Sequence, residues 1–122
     1  MGAAQRTNPP VDRVIAVSTT DSLRFAPDAF NVRAGETVAF DISNSGAVPH
    51  EFIIGDATVQ QVHENEMSTG RMGGESTGVT GPAGATVGLV YTFGQPGTLE
   101  IGCHVPGHYA AGMRGTITIS PS

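Results

Sequence analysis

The sequence predicts an all-β fold, an antiparallel sandwich or barrel of about eight short strands with one short helix in a long connection. First, the chain of 122 residues has 17 Gly, 8 Pro and only 14% charged residues, a composition typical of a compact, turn-rich domain. Second, apolar and polar residues alternate at the period of half-buried strands. Third, turn-forming combinations separate the short apolar stretches, which favours strands over long helices.

The first half of the chain contains the clearest strand. In residues 37–43, Val38, Phe40 and Ile42 alternate with polar or small residues, so one face is expected to pack in the core. Residues 1–12 are predicted to be a flexible tail, because Asn8-Pro9-Pro10 offers no periodic pattern. A single domain is expected over residues 13–122. Further strands are predicted around residues 14–18, 23–25, 29–32 and 50–54.

The middle of the chain predicts a helix and then a loop. Thr58-x-x-Gln61 resembles a helix capping box, and Val59, Val62 and Met67 recur at helical spacing, which predicts a helix that packs these three residues on the sheet. Residues 70–84 are rich in Gly, Ser and Thr and are predicted to form an exposed loop. Three more strands are expected around the apolar residues of the last third: Val87, Leu89, Tyr91, Phe93, Leu99, Ile101, Cys103, Ile117 and Ile119.

Charge and hydropathy exclude several classes of function. The net charge is −5, with six Lys and Arg against eleven Asp and Glu, so no basic surface is expected for nucleic acid. No apolar run approaches the roughly 20 residues of a membrane-spanning helix. The single cysteine cannot form an internal disulfide. Residues 1–10 lack the basic start and apolar stretch of a secretory signal.

The segment with the clearest chemistry is a loop near the C-terminus with the spacing Cys103-x4-His108-x4-Met113. This loop places a thiol, an imidazole and a thioether between two strands, and His50, at the start of a predicted strand, is the natural source of a second imidazole. Thiolate and thioether favour Cu(I), and imidazole serves both oxidation states. The four residues together therefore predict a redox-active copper site.

Other interpretations use fewer of these residues. A lone Cys at a strand end is often a small buried hydrophobe, and a lone Met often fills the core. A Cys–His hydrolase would use Cys103 with His104 or His108, but it would leave His50 and Met113 without a role. Zinc rarely takes a thioether ligand. Copper accounts for all four groups.

The sequence resembles the cupredoxins, the family of plastocyanin, azurin, rusticyanin and auracyanin, from about Val14 to Ile119. The loop from Cys103 to Met113 looks like the C-terminal ligand loop of that family, and residues 44–50 look like its upstream ligand loop. The resemblance implies a Greek-key sandwich with one type 1 copper, His50, Cys103 and His108 as equatorial ligands and Met113 as the axial ligand.

The same resemblance implies an electron carrier rather than an enzyme, located outside the cytoplasm in the periplasm or cell envelope. We expect a monomer that meets redox partner proteins at an apolar patch around His108. That patch would comprise Pro49, Val105, Pro106, Tyr109 and Ala110. An alternative function is copper storage, delivery or resistance, with redox cycling incidental.

Five residues near the predicted site have open roles. Glu51 stands where many cupredoxins have Asn or Ser bracing the two ligand loops. His104 follows Cys103, and multicopper oxidases have a His on both sides of the corresponding Cys. Here Gly102 precedes Cys103, which argues against an oxidase interpretation. Strand alternation places His104 on the face opposite Cys103, at the surface or behind the ligands. His63 and Met67, four residues apart on the predicted helix, are candidates for a second copper together with Met72. The simpler interpretation places His63 at the margin of a packed helix.

Overall fold

The computed structural model describes residues 10–68 and 77–122. Within these residues the chain forms nine strands and one helix, and their bounds follow in chain order: β1 Arg13–Thr20, β2 Arg24–Ala26, β3 Ala29–Arg33, β4 Thr37–Asn44, β5 His50–Gly55, α1 Ala57–Ser68, β6 Thr77–Gly81, β7 Thr86–Thr92, β8 Gly97–Gly102 and β9 Arg114–Ser120. No helix of this described part is long and apolar enough to cross a bilayer.

The strands form two sheets, which confirms the predicted all-β sandwich. The first sheet has the order β2-β1-β4-β7, and the second has the order β3-β9-β8-β5-β6. Strand β1 pairs with β4, and β3 with β9, in parallel. The sheets are therefore mixed rather than purely antiparallel.

The core lies between the sheets and is built around phenylalanine rings. The predicted inward residues of β4, Val38, Phe40 and Ile42, are all buried. The Phe40 ring lies 5.2 Å from the Phe52 ring and 5.7 Å from the Phe30 ring, measured between centroids. Offset and edge-to-face contacts of this kind favour a fixed packing, so the two sheets are held in one relative position.

The helix differs from its sequence-based prediction at both its start and its buried face. Asp56 caps it, because its Oδ1 accepts a hydrogen bond from Val59 N–H at 2.9 Å, whereas Thr58 lies inside the first turn. Val59 and Val62 are 37% and 52% exposed, while Gln60 and His63 are buried. The polar residues take the inward face because hydrogen-bonding groups of the sheet lie there, as described below.

The predicted loop over residues 70–84 is only partly a loop. Residues 69–76, including Met72, lie outside the described residues, but Thr77–Gly81 forms β6 and pairs with β5 in the register Phe52↔Val79. The prediction missed this strand because it has no apolar alternation. Its Gly78 lies so close to the Phe52 main chain and the Ile53 side chain that a Cβ atom would collide with them.

Strand register brings the predicted ligand residues to one end of the second sheet. Strand β5 runs antiparallel to β8 with Ile53 opposite Gly102, so the first residue of β5 and the residue after β8 lie at the same end. Gly102 also pairs with Arg114, the first residue of β9. The loop between β8 and β9 therefore closes over the start of β5.

Asp12, the last residue of the predicted tail, is hydrogen-bonded to β4. Its N–H donates to the carbonyl of Thr37 at 2.8 Å, and its Oδ2 accepts from Thr37 N–H at 2.9 Å. The remainder of the predicted tail, residues 1–9, lies outside the described residues.

Candidate metal centre

Three predicted ligands converge at this end of the sandwich. The ligand atoms of His50, Cys103 and His108 all lie within 4.8 Å of one another. The Cys103 Sγ atom is 3.4 Å from His108 Nδ1 and 4.0 Å from His50 Nδ1. Both imidazoles thus turn the same nitrogen toward one sulfur. Among the described residues this is the one group of three or more His, Cys, Asp or Glu side chains that converges in this way.

Burial favours the neutral forms of the Cys103 thiol and the His108 imidazole before a metal binds. Burial raises the pKa of the Cys103 thiol, although hydrogen bonds from the main chain of Glu51 and Val105 oppose the shift. Burial and the neighbouring His50 lower the pKa of His108, so its imidazole is available as a neutral ligand at neutral pH. A metal ion that binds here displaces the thiol proton.

The loop between β8 and β9 is held by its own main chain. Cys103 N–H donates to the carbonyl of Met113 at 3.1 Å, and Met113 N–H donates to the carbonyl of His108 at 3.1 Å. Gly107 and Gly112 have φ angles of 88° and 104°, a left-handed conformation that glycine adopts at little cost. The three predicted ligands of this loop are therefore fixed relative to one another, and the Met113 side chain is fully buried.

The upstream loop between β4 and β5 is organised by Asn44. This buried side chain donates from Nδ2 to the carbonyls of Val48 and Gly81, at 2.8 and 2.9 Å, and accepts from Gly46 N–H at 2.8 Å. One amide thus satisfies three main-chain groups and sets the direction in which the chain enters β5. This direction carries the His50 imidazole into the site.

Glu51 braces the two ligand loops, which answers the question raised by its departure from the family pattern. Its N–H donates to Cys103 Sγ at 3.3 Å, and its carboxylate accepts from the N–H of His104 at 3.0 Å. The same carboxylate lies 3.2 Å from His63 Nε2 on α1. Glu51 therefore connects the first ligand strand, the residue after the thiol, and the helix.

His104 lies on the opposite face from Cys103, as alternation predicts, but it is buried and not at the surface. Its Nε2 is 2.6 Å from Gln60 Oε1, and its Nδ1 is 2.7 Å from Glu64 Oε1. Gln60 Nε2 in turn donates to the carbonyls of Ile53 and Glu100 at 3.0 and 3.1 Å. These carbonyls fix the amide orientation, so Gln60 Oε1 accepts the Nε2 proton of His104.

Gly102 leaves room for this polar group. A Cβ atom there would collide with Gln60 Oε1, Tyr109 and His104. The Tyr109 ring stacks on the His104 ring at 4.4 Å between centroids. No space remains for a larger side chain before Cys103, so the arrangement does not accommodate the paired histidines of the oxidase interpretation.

The second copper site considered from sequence does not assemble among the described residues. His63 directs Nε2 to Glu51, while its Nδ1 lies 3.7 Å from Glu66 Oε1. Its two ring nitrogens thus face different carboxylates rather than a common point. Met67 is half-buried on the same helix, and Met72 lies outside the described residues.

Sequence analysis missed three polar residues beside the site. Asp21, in the turn between β1 and β2, lies 3.1 Å from His50 Nε2. Gln60 and Glu64 bind His104 from the helix. The i,i+4 spacing of Gln60 and Glu64 places them on one helix face, but nothing in the spacing shows that this face is buried. Asp21 is distant in sequence and has no local pattern.

The donor set fits copper. Two imidazoles and a thiol that a metal ion deprotonates are the groups that copper accepts in both of its biological oxidation states. The thioether of Met113 follows in the same short loop. The buried polar neighbours already have partners of their own, which leaves His50 Nδ1, His108 Nδ1 and Cys103 Sγ directed at a common point.

Comparison with known proteins agrees with this chemistry. The family model for copper-binding proteins of the plastocyanin/azurin family matches residues 12–120. The chain is 35% identical over 109 residues to the copper-resistant cuproprotein CopI of Rubrivivax gelatinosus, and the alignment covers 88% of this chain and 66% of the relative. It is 33% identical over 129 residues to CopI of Pseudomonas aeruginosa, covering 80% of this chain and 71% of the relative. The chain thus spans about two thirds of the length of these relatives.

The fold of this chain is also similar to that of a solved structure. The structure of auracyanin B superposes with a TM-score of 0.81 at 22% identity, covering 94% of each chain. The predicted cupredoxin fold and the predicted copper cofactor are both confirmed by these matches and by the converging His, Cys and His side chains. The chain belongs to the plastocyanin/azurin family of copper-binding proteins.

Proposed function

We propose that this protein is a type 1 copper protein that carries single electrons, with His50, Cys103, His108 and Met113 as the copper ligands. The observation that carries the proposal is the convergence of two imidazole nitrogens and one thiol sulfur within 4.8 Å. A trigonal His2Cys site with a weak axial Met is characteristic of copper that exchanges one electron. No substrate is turned over.

The surroundings suit electron transfer because they resist movement. Copper supplies a one-electron Cu(II)/Cu(I) couple when it is bound. The chain supplies the frame: Asn44 fixes the upstream loop, the Cys103 and Met113 main chains fix the downstream loop, and Glu51 joins the two. A site held by such hydrogen bonds changes little in geometry between oxidation states, which lowers the barrier to transfer.

The route to a partner is proposed to run through His108. His108 is partly exposed, whereas His50 and Cys103 are buried. Apolar residues lie around it in the sequence, and Val48 is 39% exposed. We propose that the apolar patch around His108 docks a redox partner protein and that the net charge of −5 orients the approach of that partner. The protein is further proposed to work as a monomer outside the cytoplasm.

Copper resistance is the second candidate function, and the names of the relatives favour it. Relatives at 35% and 33% identity are described as copper-resistant cuproproteins. In that role the same four residues would bind copper to lower its free concentration, and redox cycling would be incidental. The ligand assignment is common to both functions.

Copper titration tests the ligand assignment, and electrochemistry separates the two functions. Wild-type protein is expected to bind one copper per chain, to absorb intensely in the visible when oxidised, and to be reduced reversibly. Cys103→Ser should abolish the colour without unfolding the protein, while Val62→Ala, on the exposed side of α1, should leave it unchanged. A colourless, redox-inert copper complex with labile exchange would reject the electron carrier and favour copper handling.

A further inference from the structure

The imidazole of His50 has a carboxylate partner on the side away from the thiol. Its Nε2 atom lies 3.1 Å from Asp21 Oδ1, while its Nδ1 faces Cys103 Sγ. The His50 side chain is 0% exposed, and that of Asp21 is 45% exposed. The carboxylate therefore reaches from the protein surface to a fully buried ring.

The Asp21 carboxylate is itself held in place by the upstream ligand loop. Its Oδ2 accepts a hydrogen bond from Ala47 N–H at 2.7 Å. The bond from Ala47 at Oδ2 and the contact with His50 at Oδ1 together hold the carboxylate in one orientation. A Cβ atom at Gly46 would collide with the carboxylate, so the loop needs glycine there to approach Asp21 closely.

We infer that Asp21 is a positioning residue of the copper centre, which fixes the His50 ring and stabilises the oxidised ion through it. This inference rests on the proposed role of His50 as a ligand. An acceptor at Nε2 holds the ring proton on that nitrogen and leaves the Nδ1 lone pair directed at the metal position. Carboxylate–histidine–metal chains of this kind orient the ring and raise the basicity of the ligating nitrogen.

The charge of the partner distinguishes Asp21 from a neutral acceptor. A backbone carbonyl would select the same tautomer but would add no net negative charge. A carboxylate hydrogen-bonded to the ring stabilises the ion of higher charge more, since its attraction grows with the charge of the copper. Asp21 therefore lowers the reduction potential relative to a neutral partner.

An exposed ion pair alone would not have this effect. Pairs between exposed side chains contribute little because water screens both partners. Here one partner is fully buried and faces the ligand cluster, so part of the interaction lies where water does not screen it. The charge of Asp21 therefore acts on the copper position through the His50 ring.

The test compares Asp21→Asn with Asp41→Asn, which removes one exposed acid from the outer face of the first sheet and serves as the matched charge control. In copper-free protein, the imidazole nitrogen NMR signals of His50 should change in Asp21→Asn and stay unchanged in Asp41→Asn. In the copper form, the ratio of Cu(II) to Cu(I) affinity should fall about tenfold in Asp21→Asn, which raises the potential by about 59 mV.

The outcomes separate the inference from the proposed function. If wild-type protein binds copper reversibly but Asp21→Asn shifts the potential no more than Asp41→Asn does, the inference is wrong and the ligand assignment stands. Equal losses of Cu(I) and Cu(II) affinity would show that Asp21 only supports the loop, and they also overturn the inference. Failure of wild-type protein to bind copper overturns both. Asp21→Ser provides a second neutral variant if the Asn variant does not fold.

Discussion

Replacement of Glu51 by Ala should lower the free energy of unfolding more than replacement of any surface carboxylate does. The Glu51 side chain is buried and accepts from the His104 main chain at 3.0 Å, and it lies 3.2 Å from His63 Nε2. Alanine removes both interactions, so His104 N–H and His63 Nε2 each lose the Glu51 oxygen that faces them between the helix and the sheet. Neither group has ready access to water at that position.

The magnitude follows from these two groups. A buried hydrogen-bonding group that loses its partner costs about 1 to 3 kcal/mol, so the loss of both Glu51 contacts costs about 2 to 6 kcal/mol. Breaking one side of a buried ionic or hydrogen-bonded pair costs about 3 to 5 kcal/mol. We expect the free energy of unfolding to fall by about 3 to 5 kcal/mol in Glu51→Ala. Glu51→Gln should lose about half as much, since its amide oxygen can still accept from His104.

Urea unfolding of copper-free protein measures this change, with Asp41→Asn as the control. A double-mutant cycle of Glu51→Ala with His63→Ala should give a coupling energy of about 1 to 3 kcal/mol, because the two side chains are in contact. The copper form should also change its visible spectrum, because loss of the carboxylate contacts lets the main chain at residue 51 shift, and its N–H, which alanine retains, donates to the Cys103 sulfur. A loss below about 0.5 kcal/mol with an unchanged spectrum would refute the brace.

Three further predictions concern the ligand loop. Cys103→Ser should retain the fold and lose the copper colour, as measured by circular dichroism and visible absorption. Gly102→Ala should destabilise the protein by about 1 to 3 kcal/mol, because the new methyl group meets Gln60, whereas Gly94→Ala meets nothing within 4 Å and should be neutral or slightly stabilising. The lowered pKa of His108 means that the unfolded chain binds its proton first, so copper-free protein should lose stability as pH falls below the ordinary value of 6.5.

Each of these predictions has a result that contradicts it. If the Cys103→Ser protein kept the copper colour, the Cys103 thiolate would not be a copper ligand. Equal unfolding midpoints for Gly102→Ala and Gly94→Ala would show that the sheet accommodates the methyl group. If His108→Gln left the slope of stability against pH near 6 unchanged, the titrating group would lie elsewhere.

The sequence was most informative where periodicity and chemistry coincide. Alternation of Val38, Phe40 and Ile42 predicted both the strand and its buried face, because a half-buried strand shows its environment directly. The Cys103-x4-His108-x4-Met113 spacing similarly predicted a compact loop. His50 was identified because the site requires a second imidazole and because this residue lies at the start of a predicted strand. In the structure, strand register brings it close to Cys103.

The helix and its partners could not be read in this way. Its apolar residues Val59 and Val62 suggested the wrong buried face, because hydrophobic spacing assumes that the covered surface is apolar. The covered surface here is polar. Asp21 escaped notice for a different reason, since its contact with His50 depends on how two distant turns meet and not on any local pattern.

The polar layer under the helix follows from the position of β5. All six residues of this strand are buried, because it lies between β8 and β6 in the sheet and is covered on both faces. Residues Phe52 and Ile54 belong to the core between the sheets, so alternation directs Glu51 and Ile53 to the other face, under α1. The same alternation places His104 on that face when Cys103 points inward. An apolar helix face would leave the Glu51 carboxylate and the His104 ring without partners, which explains why Gln60 and His63 are turned inward and the valines are exposed.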